Sequence, residues 1–230
     1  MRRTAEAADA TQREVAESWE RALAASGLPV AMTDADRPRP RISFGAPLPT
    51  GIAAESELID VVLTERLPAW HVREALTAGL PAGWSIVDLY DVWLAGPALA
   101  GRVVAADYRI ELAVAPESTV AELDPGVVAV ATTALLDAST LPGTRTKGSG
   151  TVGYDLRPLL VDVAVADPGP PITIRARTRF HAELGTGRPE AVVAALGGVL
   201  GCTLEAQTIV RERVLLAEEV EAAGEPISRR

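Results

Sequence analysis

Sulfur and imidazole are nearly missing from this chain: one cysteine, Cys202, and two histidines, His71 and His181, occur in 230 residues. A lone thiol forms no intramolecular disulfide and cannot supply a cysteine-ligated iron–sulfur cluster. Two histidines make a His-rich zinc site a poor fit, so no bound cofactor is expected. Lysine is as scarce, with Lys147 alone among 22 basic residues. Aromatics are 4% of the chain, which leaves Ala, Val and Leu to fill the core. Nowhere do about 18 apolar residues run together, and no apolar segment follows Met1-Arg2-Arg3. The expected location is the cytoplasm, with no membrane partner.

What is present suits a folded protein of short elements. Hydrophobic residues make up 48% of the chain and charged residues 23%, enough apolar surface for a core. Seventeen prolines and nineteen glycines imply many turns. The net charge of −9 argues against broad binding to nucleic acid or to a membrane surface.

Periodicity then divides the chain. Residues 1–10 are polar and Ala-rich and read as a frayed, disordered lead. Thr11 and Glu14 have capping-box spacing, and Val15, Trp19, Ala22 and Leu23 share one helical face before Gly27 stops the helix. Residues 42–45 and 58–63 read as strands, 68–79 as a helix opened by Pro68, and 84–94 as a strand bearing three aromatics. Gly96-Pro97 through Gly101 reads as a linker. Beyond it come a half-buried strand over 107–114 and a helix over 124–138. A flexible loop is expected over 141–153, extended chain over 154–165, and a cleanly alternating strand over 172–181. A helix from Arg188-Pro189 and a last strand over 203–214 complete the series.

The second series is β-α-β-β-α-β, the split βαβ or ferredoxin-like order. The first half has the same order without its opening strand. The fold expectation is therefore α+β, with two tandem ferredoxin-like halves over residues 11–100 and 101–216 and a polar tail over 217–230. A single larger α+β sheet is the alternative.

Several stretches carry a family resemblance. They are Glu20-Arg21-Ala22-Leu23, Gly27-Leu28-Pro29-Val30, Pro40-Arg41-Ile42-Ser43-Phe44, Pro47-Leu48-Pro49 and Gly51, then Glu57 and Asp60. Downstream, Asp155-Leu156-Arg157-Pro158-Leu159-Leu160 and Arg188-Pro189 continue the pattern. Together they resemble the radical SAM-linked protein family, whose own biochemical role is not established. That resemblance implies a neighbouring or fused cobalamin-binding radical SAM protein as partner. The chain departs from the family pattern at two places. Thr11-Gln12-Arg13-Glu14 stands where the family has Ser-His-Leu-Asp, and residues 34–40 replace a Gln-Gly-Phe-Asn-Pro-His-Pro loop, so both family histidines are gone.

Candidate contacts are mostly arginines. Arg37, Arg39 and Arg41 alternate with prolines, which favours an extended loop able to grip phosphate or carboxylate; the plainer reading is a solvated loop paired with Asp34 and Asp36. Arg175, Arg177 and Arg179 fall on one strand face about 7 Å apart, a stripe able to track an RNA backbone. The neighbouring strand carries Asp107 and Glu111, so cross-strand ion pairs are expected to neutralise much of that stripe. Asp155 and Arg157 share a strand face and suit structural hydrogen bonding. Lys147 lacks the spacing and the following helix of a phosphate loop. No nucleophile–base set is visible.

Three functions follow, in falling order. The first is an accessory or substrate-presenting protein for a radical SAM enzyme, not itself an enzyme. The second is an RNA-binding module using the arginine strand and loop, and the third a small stand-alone enzyme.

Overall fold

The computed structural model describes residues 1–92, 97–118, 120, 122–147 and 150–223. The chain divides into two compact units, Met1–Val103 and Val104–Arg230. Both mix helices with antiparallel strands, as an α+β protein does.

The first unit opens on a strand, β1 (Arg2–Arg3), followed by α1 (Gln12–Ala25). Next come β2 (Ile42–Phe44), β3 (Ala53–Ala54), β4 (Ile59–Val61), α2 (Ala69–Thr77), β5 (Trp84–Ser85) and the one-turn helix α3 (Leu99–Arg102). The opening strand corrects the expectation that it is missing and that the lead is frayed. β1 pairs antiparallel with β3 on one side and β5 on the other. Arg3 is 2% exposed, and its Nη2 donates to the carbonyls of Ile52 (2.6 Å) and Pro49 (3.1 Å). Backbone acceptors make burial of that charge tolerable, a tertiary effect with no local sequence signal.

α1 forms as its sequence dictates. Glu14 N–H donates to Thr11 Oγ1, and Thr11 N–H donates to the Glu14 carboxylate at 2.8 Å. Val15, Trp19, Ala22 and Leu23 are its buried residues, and Gly27, with φ of +70°, ends it. Val72 and Leu76 of α2 join Leu23 and Leu28 in a local core. Each such aliphatic side chain contributes roughly 1.5–3 kcal/mol on burial.

Two strand expectations change in this unit. Only Trp84 and Ser85 of residues 84–94 form a strand; Trp93 and Leu94 lie outside the described residues. Asp88 and Asp91 face Arg73 and Arg66 instead, at 3.8 and 2.7 Å, and Arg73 also donates to the Ile86 carbonyl. The linker expected over 96–101 contains α3, whose Leu99 is buried; Gly96 is outside the described residues. The ladders β3-β1-β5 and β2-β4 do not form the four-stranded sheet that the element order suggested.

In the second unit, β6 (Val103–Val114) leads to α4 (Pro125–Asp137), where Asp124 Oδ1 caps the helix by accepting from Val127 N–H. The hairpin β7 (Pro142–Lys147) and β8 (Gly150–Asp155) follows, then β9 (Leu160–Asp167), β10 (Thr173–His181) and β11 (Gly185–Thr186). α5 (Pro189–Leu200), β12 (Leu204–Leu216) and α6 (Ala217–Ala223) complete it. The sheet runs β12-β6-β10-β9, with β11 continuing beside the end of β10. One face packs Tyr108, Ile110, Ile174 and Ala176 against Val128 and Leu135 of α4 and Val192 and Leu196 of α5.

The hairpin replaces the expected flexible loop, with Lys147 at the end of β7. The tail is helical where it was expected to be merely polar: Val220 of α6 is buried with Ala105 and Leu215.

Candidate functional site

The strand alternation of β10 turns Ile174 and Ala176 inward and presents Arg175, Arg177 and Arg179 on the opposite face. Arg177 lies directly across from Asp107 and grips it with two bonds, Nε to Oδ1 at 2.6 Å and Nη2 to Oδ2 at 3.0 Å. Arg175 lies across from Arg109, a like-charged pair that would repel. Glu212 on β12 resolves it, accepting from Arg109 Nε at 2.9 Å and from Arg175 Nε at 3.0 Å. Glu111, the second expected partner, instead accepts a hydrogen bond from the Thr208 hydroxyl. Two of the three stripe arginines are therefore neutralised. Arg179 makes no ion pair among the described residues; burial, and then the nearby Arg157 charge, hold its pKa below the ordinary arginine value.

Asp155 and Arg157 are structural. Asp155 Oδ1 accepts from Leu141 N–H at 2.7 Å and from Arg157 N–H at 2.9 Å. The Arg157 guanidinium donates to the carbonyls of Leu136, Leu160 and Ala138, at 2.8, 2.8 and 3.1 Å. Leu136 and Ala138 end α4, where a cation suits the helix dipole.

Near the start of α5 the structure brings together residues that the sequence left apart. Arg188 is the exposed residue preceding the helix. The hairpin contributes Arg145, whose guanidinium carbon lies 5.5 Å from the centroid of the Tyr154 ring. Burial raises the Tyr154 pKa; the positive charges of Arg188 and Arg145 oppose that rise, and Glu190 adds to it slightly. Sequence reasoning missed Arg145 and Tyr154 by reading 141–153 as loop. The alternating threonines Thr144 and Thr146 before a Gly-Ser-Gly stretch were the available hairpin signal.

In the first unit the arginine loop is tied down, not extended on its own. Thr33 N–H donates to the Arg39 carbonyl, Arg41 N–H to the Ala31 carbonyl, and Met32 and Pro40 form an antiparallel bridge. Arg39 faces Glu20 of α1 at 3.6 Å, not Asp34 or Asp36. Arg37 and Arg41 are exposed and make no ion pair among the described residues.

Elsewhere in that unit, Trp70 of α2 stands 67% exposed, edge-on to His71, and with Arg73 and Leu89 it lines a surface groove. Tyr90 is 68% exposed, and Val87 and Val92 are also exposed. Among the described residues no three or more His, Cys, Asp or Glu side chains are grouped to hold a metal ion. No helix among them is long and apolar enough to cross a membrane.

Residues 2–192 match the model of a family described as uncharacterized protein conserved in bacteria, DUF2344. The chain belongs to that family. The match spans the opening strand, the arginine loop, the Trp70 helix, the neutralised stripe and Arg188. Glu212, which completes that neutralisation, stands outside it. No curated protein matches the sequence. DUF2344 membership therefore brings the chain a relationship, and the roles of its residues rest on their geometry.

Proposed function

We propose that this chain is a non-catalytic accessory or substrate-presenting protein that docks onto a cobalamin-binding radical SAM enzyme in the cytoplasm. The carrying observation is the aromatic surface of the first unit, with Trp70 and Tyr90 about two-thirds exposed beside an apolar groove. Folding normally removes such side chains from water, and large exposed aromatics are the anchors around which protein interfaces form. The sequence resemblance supplies the class of partner. With one cysteine in the chain, the enzyme carries the iron–sulfur cluster.

We read the second unit as ferredoxin-like, on its strand order β12-β6-β10-β9 with α4 and α5 between successive strands. RNA binding through that sheet is the weaker reading, because Asp107 and Glu212 occupy Arg177 and Arg175.

Co-expression of the tagged chain with the radical SAM enzyme tests the proposal. Retention of the enzyme on the tag, reduced about ten-fold or more by Trp70→Ala as expected for an interface anchor, supports it. Failure to co-purify, together with unchanged enzyme turnover when the chain is added, rejects it. Salt-dependent capture of RNA instead of the enzyme favours the RNA reading.

A further inference from the structure

The second unit contains a positive corner that the partner reading does not use. Its other described sheet arginines have identified partners: Arg109 and Arg175 share Glu212, and Arg177 holds Asp107. Arg157 is saturated by three carbonyls. Arg145 and Arg188 make no ion pair among the described residues, although both act electrostatically on the same hydroxyl, that of Tyr154. Concentrating two like charges around one group costs energy unless something neutralises them, and Glu190 offers a single carboxylate at the margin.

The placement of Arg145 is built into the backbone. Gly185 has a φ of +92°, and a Cβ there would meet Arg145 Nη1 at 2.5 Å. At Gly143 a Cβ would stand 3.0 Å from the Tyr154 ring, so the missing side chain admits the aromatic. Two glycines thus make room for the ring and for the guanidinium that sits over it. Stacking on Tyr154 orients the planar fork of Arg145, and Arg188 brings a second fork from the start of α5.

We infer that Arg145, Arg188 and the Tyr154 hydroxyl form a binding site for a phosphate group. Two guanidiniums match the three-oxygen face of a phosphate through paired N–H donors, and the phenol donates to a further oxygen. A stacked Arg145 loses little freedom on binding. The inference stands independently of the radical SAM partner.

Calorimetric titration of the purified full chain with inorganic phosphate tests it, with acetate and a 5′-nucleoside monophosphate in parallel. Saturable phosphate binding is expected, with acetate much weaker. Arg145→Ala and, separately, Arg188→Ala should each weaken binding by about ten-fold, the loss of one charge-assisted pair. Their thermal unfolding in phosphate-free buffer should stay at the wild-type midpoint. Arg145→Lys should recover part of the affinity, because a point charge replaces a fork. Tighter binding of the nucleotide identifies an esterified phosphate as the ligand, and equal binding identifies free phosphate; either supports the site. Absence of saturable phosphate binding overturns the inference. So does acetate binding as tightly as phosphate, or unchanged affinity in both alanine variants. Should Arg145→Ala unfold, the exposed Arg188→Ala decides alone.

Discussion

Arg157 donates to carbonyls at the end of α4 and at the start of β9, joining two elements through one side chain. Removing it leaves those acceptors half-buried and unmet. Arg157→Ala is expected to lower unfolding stability by about 2–3 kcal/mol, the range for hydrogen bonds to a charged group. Urea denaturation measures this, and Arg157→Lys should restore only part. Asp60 provides the opposite case. Burial raises its pKa above the ordinary 3.8, and Arg102 offsets part of that rise. The folded state therefore binds this proton more tightly than the unfolded chain does. Its stabilising effect is complete at pH values below 3.8 and is lost as pH rises through the folded pKa. Asp60→Asn should consequently raise the unfolding midpoint at neutral pH by a small margin. That gain should shrink as pH falls through the folded pKa and vanish below the ordinary one.

Among the elements, the β6–β10–β12 ladder decides what the arginine strand can do. Asp107→Asn combined with Glu212→Gln frees Arg109, Arg175 and Arg177 on one face. Three freed arginines should steepen the salt dependence of RNA binding by roughly 2 in the log–log slope, at about 0.7 per phosphate contact on a single strand. Filter binding across a salt series checks this, the wild type giving the shallower line. The same ladder shows where sequence reasoning stops. The β10 alternation and its pairing with Asp107 were legible because period-2 patterning and the element order place them. Glu212 was not, because it arrives on β12 by a register that only tertiary pairing sets. α1, α4 and α5 were legible from caps and apolar faces, which are local. Residues 84–94 misled because an apolar, aromatic run reads as a strand, whereas Arg66 and Arg73 draw Asp91 and Asp88 into a non-ladder path along α2. The buried Arg3 gave no signal at all, since its partners are carbonyls some fifty positions away.

At the scale of the whole molecule, each compact unit presents a different chemistry. The first exposes Trp70 and Tyr90, surface suited to a protein partner. The second neutralises most of its arginines and leaves Arg145 and Arg188 beside Tyr154. Neither surface resembles a set of converging acid, base and nucleophile. Together they describe a protein that holds other molecules, one face for a macromolecule and one for an anionic group. The most direct measurement is the affinity of the purified chain for the purified cobalamin-binding radical SAM enzyme, taken beside that of Trp70→Ala. The account expects saturable binding that the substitution weakens about ten-fold or more while the unfolding midpoint stays unchanged. No binding, or equal affinity in the variant, would contradict it.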